Sequence, residues 1–227
     1  MKKLLTLALM LVMGTAAFSQ TVSFTSPNAE SQRMLDSVKY VLPEFNAGIV
    51  IFNNGQQSNG ALNINTIDHK VHFIDPSGQI LVLSNNDDVA RVFIKGRSFM
   101  NSRYGYIEIY EAAGDIFMGE GRRVGFISED KVGAFGSKSQ TTAIQSVKSI
   151  QAAAGYMVDF EQQKNSPYTY RKTPYLCRKG VILTVSKKTI QKCFPEKKEI
   201  IDQYIAEHDP NFNNVEDVRK MFKAITK

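Results

Sequence analysis

The side chains best suited to binding chemistry are concentrated in one basic window. Between residues 161 and 200, ten lysines and arginines stand against three glutamates, a net charge of +7. Basic patches of this kind bind nucleic acid, anionic lipid or polyanionic glycan, although a basic face also serves plain solvation. The residues predicted to bind an anionic partner are Arg171, Lys172, Arg178, Lys179, Lys187 and Lys188.

Aromatic residues accompany the basic window. Tyr168 and Tyr170 are two positions apart, so a strand would place both on one face, next to Arg171 and Lys172. Such a face suits stacking on sugars or contact with lipid headgroups. The chain has no tryptophan, the best stacking residue for a glycan. The alternative is tyrosines packed at the surface of a sheet.

Two cysteines, Cys177 and Cys193, leave two alternatives open. A disulfide between them would stabilise the fold by roughly 3 kcal/mol on the chain-entropy estimate. The other alternative is a pair of buried thiols. The spacing matches no zinc pattern, and no histidine is near in sequence to complete one.

No other motif predicts a specific reaction. His69 and His72 are an odd number of residues apart, so a strand would point them to opposite faces. Gly119 and Gly121 miss the dinucleotide-binding spacing, and a strand rather than a helix follows them. The glycine-rich segment 133–140 precedes a helix start and is either an anion site or an ordinary loop. The sequence therefore predicts no catalytic residue, no metal site and no cofactor.

The first residues have the pattern of an export signal. Lys2 and Lys3 precede the apolar run Leu4–Met13, and small residues end at Ala17–Ser19. The apolar run is about half of the ~20 residues that a membrane-spanning helix needs. We therefore expect residues 1–19 to be a cleaved signal peptide and the mature protein to work in the periplasm or outside the cell. Export excludes nucleic acid as a partner, and no later segment predicts a transmembrane helix.

A mostly β, α+β fold follows from the periodicity. From Ala47 to Phe135 apolar and polar residues mostly alternate, which is typical of strands. Turn signals such as Asn53–Gly55 and Asp75–Gly78 recur every eight to twelve residues. These features predict an antiparallel meander that forms a sandwich or partial barrel. We expect residues 20–227 to form a single domain.

Helices are expected mainly towards the C-terminus, at about residues 186–227. Ser186 and Asn214 are predicted N-caps. The last helix places Val218, Met221, Phe222 and Ile225 at helical spacing, which predicts an apolar stripe packed on the sheet. Shorter helices are expected near residues 30–40 and after Ser139.

Several stretches of the chain resemble a family of uncharacterised exported proteins from Gram-negative bacteria. The similarity is carried by strand and turn residues spread over most of the mature chain: Tyr40–Phe45, Leu62–Asn65, Val92–Phe99, Gly133–Gly136 and Phe194–Lys198. It implies a cell-envelope protein and transfers no active-site residue.

The function predicted from the sequence is therefore a non-catalytic binding or structural module of the cell envelope. Its expected partner is an anionic envelope lipid or polysaccharide. Two alternatives stay open: a hydrolase whose site is assembled from distant residues, and a lipid carrier with an apolar cavity. Converging carboxylates in a pocket would favour the first, and a dry internal cavity the second.

Overall fold

The computed structural model describes residues 21–24, 28–126 and 167–227. These residues form eleven strands: β1 Thr21–Phe24, β2 Asn46–Phe52, β3 Gln57–Ile64, β4 Val71–Ile74, β5 Ile80–Val82, β6 Val89–Ile94, β7 Arg97–Met100, β8 Ile107–Ala113, β9 Ile116–Phe126, β10 Tyr168–Arg178 and β11 Val181–Thr184. The α-helices are α1 Ala29–Val38, α2 Lys187–Cys193, α3 Lys198–His208 and α4 Val215–Thr226.

All of these strands join one antiparallel sheet. Its order is β1-β10-β9-β8-β7-β6-β2-β3-β4-β5, and β11 pairs with β10 beside it. β1 lies at one edge beside β10, and β2 lies near the middle of the sheet: β2 to β5 meander to the other edge, and β6 then returns to the free side of β2. A second meander continues from β6 to β9.

The predicted fold class is confirmed, since the protein is mostly β with helices near the C-terminus. The strands form a single sheet that is not closed into a barrel, so the open, partial-barrel arrangement describes it better than a sandwich of two sheets. The side-chain oxygen of the buried Asn86 accepts from the backbone N–H of Val71 and from the hydroxyl of Tyr106. This amide links the first residue of β4 to the residue before β8.

Local sequence signals explain the ends of the elements. Asn28 caps α1 by accepting from Glu30 and Ser31, and Asn214 caps α4 in the same way. Ser186 caps α2, as predicted. Gly55 takes the left-handed conformation, with φ of +82°, that the predicted turn between β2 and β3 requires.

One face of the sheet carries the core. Val218, Met221, Phe222 and Ile225 of α4 are buried against Leu176 of β10 and its neighbours, which confirms the predicted stripe. A second cluster around Val92 lies on the same face of β2 to β7, and a third joins α1 to the ends of β9 and β10. We call this face the inner face and the opposite one the outer face.

Some predictions fall outside the described residues. These are the signal peptide of residues 1–19, the glycine-rich segment 133–140 and the helix expected after Ser139. Among the residues that the structure does describe, no helix is long and apolar enough to cross a membrane.

Candidate functional site: an arginine and tyrosine face

The structure does not gather the six basic residues predicted from the sequence. Arg171 and Lys172 are neighbours on β10, so their side chains leave opposite faces of the sheet. Arg178 lies 3.8 Å from Asp115 and donates to the backbone carbonyl of Lys192.

The other three predicted basic residues lie at the helical end of the molecule. Lys179 is exposed in the turn between β10 and β11, where its φ is +50°. Lys187 and Lys188 begin α2, and Lys187 forms an ion pair of 2.7 Å with Asp202. Of the six, Arg171 alone belongs to the face described below.

Tyr168 and Tyr170 follow the alternative that the sequence left open, that of tyrosines packed on the sheet. Tyr168 is 2% exposed, and its hydroxyl donates to the backbone carbonyl of Ser31 in α1 at 2.6 Å. Tyr170 leaves the same, inner face and packs against the third core cluster. These tyrosines hold the sheet and α1 together, so neither is presented to a partner on the outer face.

The two cysteines are buried free thiols in the structure. Cys193 of α2 belongs to the inner core cluster that includes Leu176. Cys177 follows Leu176 along β10, so its side chain leaves the outer face, where its sulfur lies 3.9 Å from that of Met100. The sheet therefore separates the two sulfurs. Of the two alternatives that the sequence left open, the structure has the pair of buried thiols and not the disulfide.

A stacked pair of tyrosines lies on the outer face. The rings of Tyr104, in the loop between β7 and β8, and Tyr175 of β10 have centroids 5.1 Å apart and an interplanar angle of 22°. Tyr175 lies against Gly121 of β9, where an added Cβ would come within 2.9 Å of the ring. The missing side chain therefore lets the ring lie on the sheet.

Arginines surround this pair. The guanidinium of Arg103 lies 4.8 Å from the centroid of the Tyr104 ring and donates to the hydroxyl of Tyr104. Arg123 of β9 reaches the backbone carbonyl of Tyr104 at 3.5 Å, and its register partner on β10 is Arg171. Burial raises the pKa of Tyr175, while the charges of Arg123 and Arg171 act to lower it.

Arg91 of β6 extends the basic region. Its guanidinium lies 5.7 Å from the centroid of the Phe117 ring on the same outer face. We call Arg91, Arg103, Arg123 and Arg171, together with Tyr104 and Tyr175, the arginine–tyrosine face. None of these four arginines forms an ion pair with an acidic side chain within the described ranges.

An open groove of about 540 Å³ adjoins this face. Its walls come from the β2–β3 turn, the turn before β6, β6 itself, the end of β7 and the β7–β8 loop. The polar side chains among the lining residues are Asn53, Asp87, Arg91, Asn101, Ser102 and Arg103. The groove therefore combines two positive charges with one carboxylate and neutral hydrogen-bonding groups.

The inner face holds a different cluster of charges, which sequence analysis missed. Glu108 of β8 and Glu120 of β9 are register partners and are 6% and 4% exposed. Arg97 donates two hydrogen bonds to the carboxylate of Glu108, and Arg122 donates to both glutamates. Their alternation within β8 and β9 was visible in the sequence, but only the pairing of the two strands brings the four residues together.

The two positive and two negative charges of this inner charge cluster cancel, and no water-sized space lies beside them among the described residues. Burial disfavours the charge of Arg122, but Glu120, Tyr110 and Glu108 together outweigh it and raise the pKa of Arg122. Both arginines also approach the carbonyl oxygen of Val41. The space between Val41, the cluster and the aromatic rings beside it does not admit a water molecule. The pair of carboxylates thus has the composition of a hydrolase site but no room for a substrate.

A hydrogen-bonded chain connects Tyr40, His72 and Asp68. The Tyr40 hydroxyl lies 3.0 Å from Nδ1 of His72, and Nε2 of His72 lies 2.8 Å from the Asp68 carboxylate. Burial and the Asp68 charge raise the pKa of Tyr40 to about 12, so its phenol stays protonated and donates. His72 is 3% exposed. The chain fastens the segment before β2 to β4 and presents no free nucleophile.

His69 lies close to the arginine–tyrosine face. It takes a φ of +59°, and its ring packs against Gly105 in the loop that carries Tyr104. Burial first, and then the positive charge of Arg123, lower the pKa of His69 to about 4. Within the described residues, no group of three or more His, Cys, Asp or Glu side chains is arranged to hold a metal ion.

Comparison of the chain with known protein families, curated proteins and solved structures finds no match. The resemblance to exported proteins of Gram-negative bacteria stays a prediction.

Proposed function

We propose that this protein is an exported, non-catalytic module that binds an anionic polysaccharide of the cell envelope through its arginine–tyrosine face. The observation that carries the proposal is the ring of Arg103, Arg123 and Arg171 around a stacked tyrosine pair, with no acidic side chain of the described residues neutralising them. Arginine binds carboxylates and sulfates through paired hydrogen bonds, and the stacked tyrosines hold the Arg103 guanidinium in place for that role.

The polysaccharide is favoured over a lipid bilayer because of what surrounds the arginines. The neighbouring groove is lined by asparagine, aspartate and serine, which suit sugar hydroxyls. Tyr104 and Tyr175 stack on each other and are partly buried, so neither ring projects as an apolar anchor for acyl chains.

The rival functions fit the geometry less well. A hydrolase needs an accessible pair of reacting groups, whereas Glu108 and Glu120 are buried and compensated by arginines. A lipid carrier needs an apolar cavity in the inner face, where three side-chain clusters and the inner charge cluster lie.

The proposal is tested by binding to polygalacturonate, a polyuronate, with its fully methyl-esterified form as a neutral control. The double variant Arg103→Glu with Arg123→Glu should lose at least about tenfold in affinity, because two charge-assisted contacts become repulsive. The matched control is Lys188→Glu with Lys198→Glu, which makes the same change of charge at exposed positions of α2 and α3, the helices packed on the inner face.

Equal losses of affinity in the two double variants would overturn the assignment to this face, because the binding would then reflect the net charge of the whole protein. Binding to anionic phospholipid vesicles without binding to the polymer would replace the polysaccharide by a membrane. A further variant, Gly121→Ala, tests the tyrosine pair itself. Its added methyl group should displace the Tyr175 ring and weaken binding at unchanged net charge.

A further inference from the structure

We infer that the groove beside the arginine–tyrosine face is a subsite for a single uronate unit of the polysaccharide, with Asp87 as a hydrogen-bond acceptor for its hydroxyls. This inference rests on the proposed function. The groove would add recognition of a particular sugar to the general electrostatic attraction of an anionic polymer. The groove volume of about 540 Å³ is within the range of small-molecule sites.

The positive side of the groove fits the carboxylate of a uronate. Arg91 and Arg103 line it, from β6 and from the β7–β8 loop respectively. Arg91 rests over the Phe117 ring and Arg103 over the Tyr104 ring, at 5.7 and 4.8 Å from the centroids. Aromatic support restricts both guanidinium groups before a ligand arrives, which lowers the entropy lost on binding.

The negative side of the groove fits hydroxyl groups. Asp87 is exposed in the short 3-10 turn Asn86–Asp88, and it forms no ion pair within the described residues. The same turn is held in place by Asn101, whose amide donates to the carbonyl oxygens of Asn86 and Val89. An ionised carboxylate accepts stronger hydrogen bonds than a neutral group does. Asp87 therefore favours binding of an anionic ligand only if that ligand donates hydrogen bonds to it.

The two possible roles of Asp87 predict opposite changes in affinity when its charge is removed. If anions are attracted here by charge alone, removing the negative charge of Asp87 should tighten binding. If Asp87 accepts from sugar hydroxyls, Asp87→Ala should weaken it. The matched control is Asp88→Ala, the adjacent residue, which is also exposed and undergoes the same change of charge but does not line the groove.

The experiment is calorimetric titration of the exported protein with trigalacturonate, its trimethyl ester and a galactose trimer carrying sulfate esters. We expect trigalacturonate to bind, the ester to bind at least about tenfold more weakly, and Asp87→Ala to weaken trigalacturonate binding about tenfold. Arg91→Gln should weaken it similarly, while Lys188→Gln, in α2 and outside both the groove and the arginine–tyrosine face, should change it little.

Several outcomes would overturn the subsite. Tighter binding by Asp87→Ala, equal to that of Asp88→Ala, would show attraction without recognition. Stronger binding of the sulfated trimer than of trigalacturonate would reject the uronate. If the polymer binds through Arg103 and Arg123 while Asp87→Ala and Arg91→Gln behave as wild type, the subsite fails and the proposed function stands. If polygalacturonate itself does not bind, the proposed function fails first.

Discussion

On the inner face of the sheet, Arg97 and Arg122 are held between Glu108 and Glu120, and the four side chains form a closed cluster. On the outer face, Arg123 and Arg171 are register partners, two positive charges side by side with tyrosine rings rather than carboxylates around them. The same strand, β9, supplies Arg122 to one arrangement and Arg123 to the other.

The difference separates charge that stabilises the fold from charge that is available to a partner. A buried ion must be compensated, since leaving one member of a buried pair alone costs several kcal/mol. Like charges side by side on a strand pair are destabilising, so the outer arrangement has no benefit for folding. The contrast supports a binding role for the outer face and a structural role for the inner one.

The largest expected effect comes from breaking the inner charge cluster. Glu108→Gln keeps the shape of the side chain but leaves Arg97 and Arg122 with one carboxylate between them. We expect a loss of about 3 kcal/mol in the free energy of unfolding, measured by urea denaturation.

The control for this prediction is Asp202→Asn, which breaks the exposed pair with Lys187 and should cost less than about 1 kcal/mol. Adding Arg97→Gln to Glu108→Gln should recover part of the loss. Equal destabilisation by Glu108→Gln and Asp202→Asn would show that the buried cluster is no more important than a surface pair.

The second effect concerns His69, which lies beside Arg123 of the outer face. Its pKa is about 4 in the folded protein and about 6.5 in an unfolded chain, because burial and Arg123 disfavour the imidazolium. The stabilisation from this neutral histidine is complete above pH 6.5 and is lost as the pH falls towards 4. It should amount to about 3 kcal/mol over that window.

The measurement is the free energy of unfolding between pH 4 and 8 for wild type and His69→Asn, since asparagine tolerates the positive φ at this position. The difference between the two proteins should be constant above pH 7 and should shift in favour of the variant below pH 6. Arg123→Gln should raise the pKa of His69 and so narrow the pH range over which this stabilisation is lost. Parallel curves over the whole range would contradict the prediction.

The third effect tests how closely the strands approach beneath the outer face. A Cβ at Gly119 would lie 2.4 Å from the carbonyl oxygen of Glu108 and 2.7 Å from Ile107. We expect Gly119→Ala to lose about 2 kcal/mol of stability in urea denaturation, because the backbone must move. Gly60→Ala in β3 is the control, since its nearest contact is an ordinary 3.4 Å. A similar loss in both would mean that the effect is one of strand propensity alone.

The smallest expected effect is that of a reducing agent. With Cys177 on the outer face and Cys193 among the inner core residues, dithiothreitol should not change the midpoint of urea unfolding. Thiol labelling of the unreduced, denatured protein should find two reactive cysteines. No labelled thiol would mean that the disulfide forms, and then β10 and α2 must be placed differently.

Local patterns predicted the parts of the fold that depend on near neighbours. The stripe of α4 and the caps Ser186 and Asn214 were found because each is complete within a few residues. The six basic residues do not share one face for the opposite reason, since alternation along β10 sends Arg171 and Lys172 to different faces.

The arginine–tyrosine face was not visible because it is assembled from distant segments. Arg91, Arg103 and Arg123 lie outside the basic window. Acidic residues in that part of the chain offset them, so its net charge does not reveal a basic surface. Arg123 and Arg171 become neighbours only through the pairing of β9 with β10. Tyr104 lies in a loop, where alternation gives no information about direction.

The pairing of β1 with β10 has a consequence for the order of folding. Thr21 and Arg171 are 150 residues apart and yet are bonded in the finished sheet. Contacts of such high sequence separation slow folding, because a long loop must close before they form. β1 is synthesised first but can pair only after β10 has been made. Until the two strands pair, the edge of β10 that carries Arg171 is open to pairing with another chain, which exposes newly made protein to aggregation at this edge.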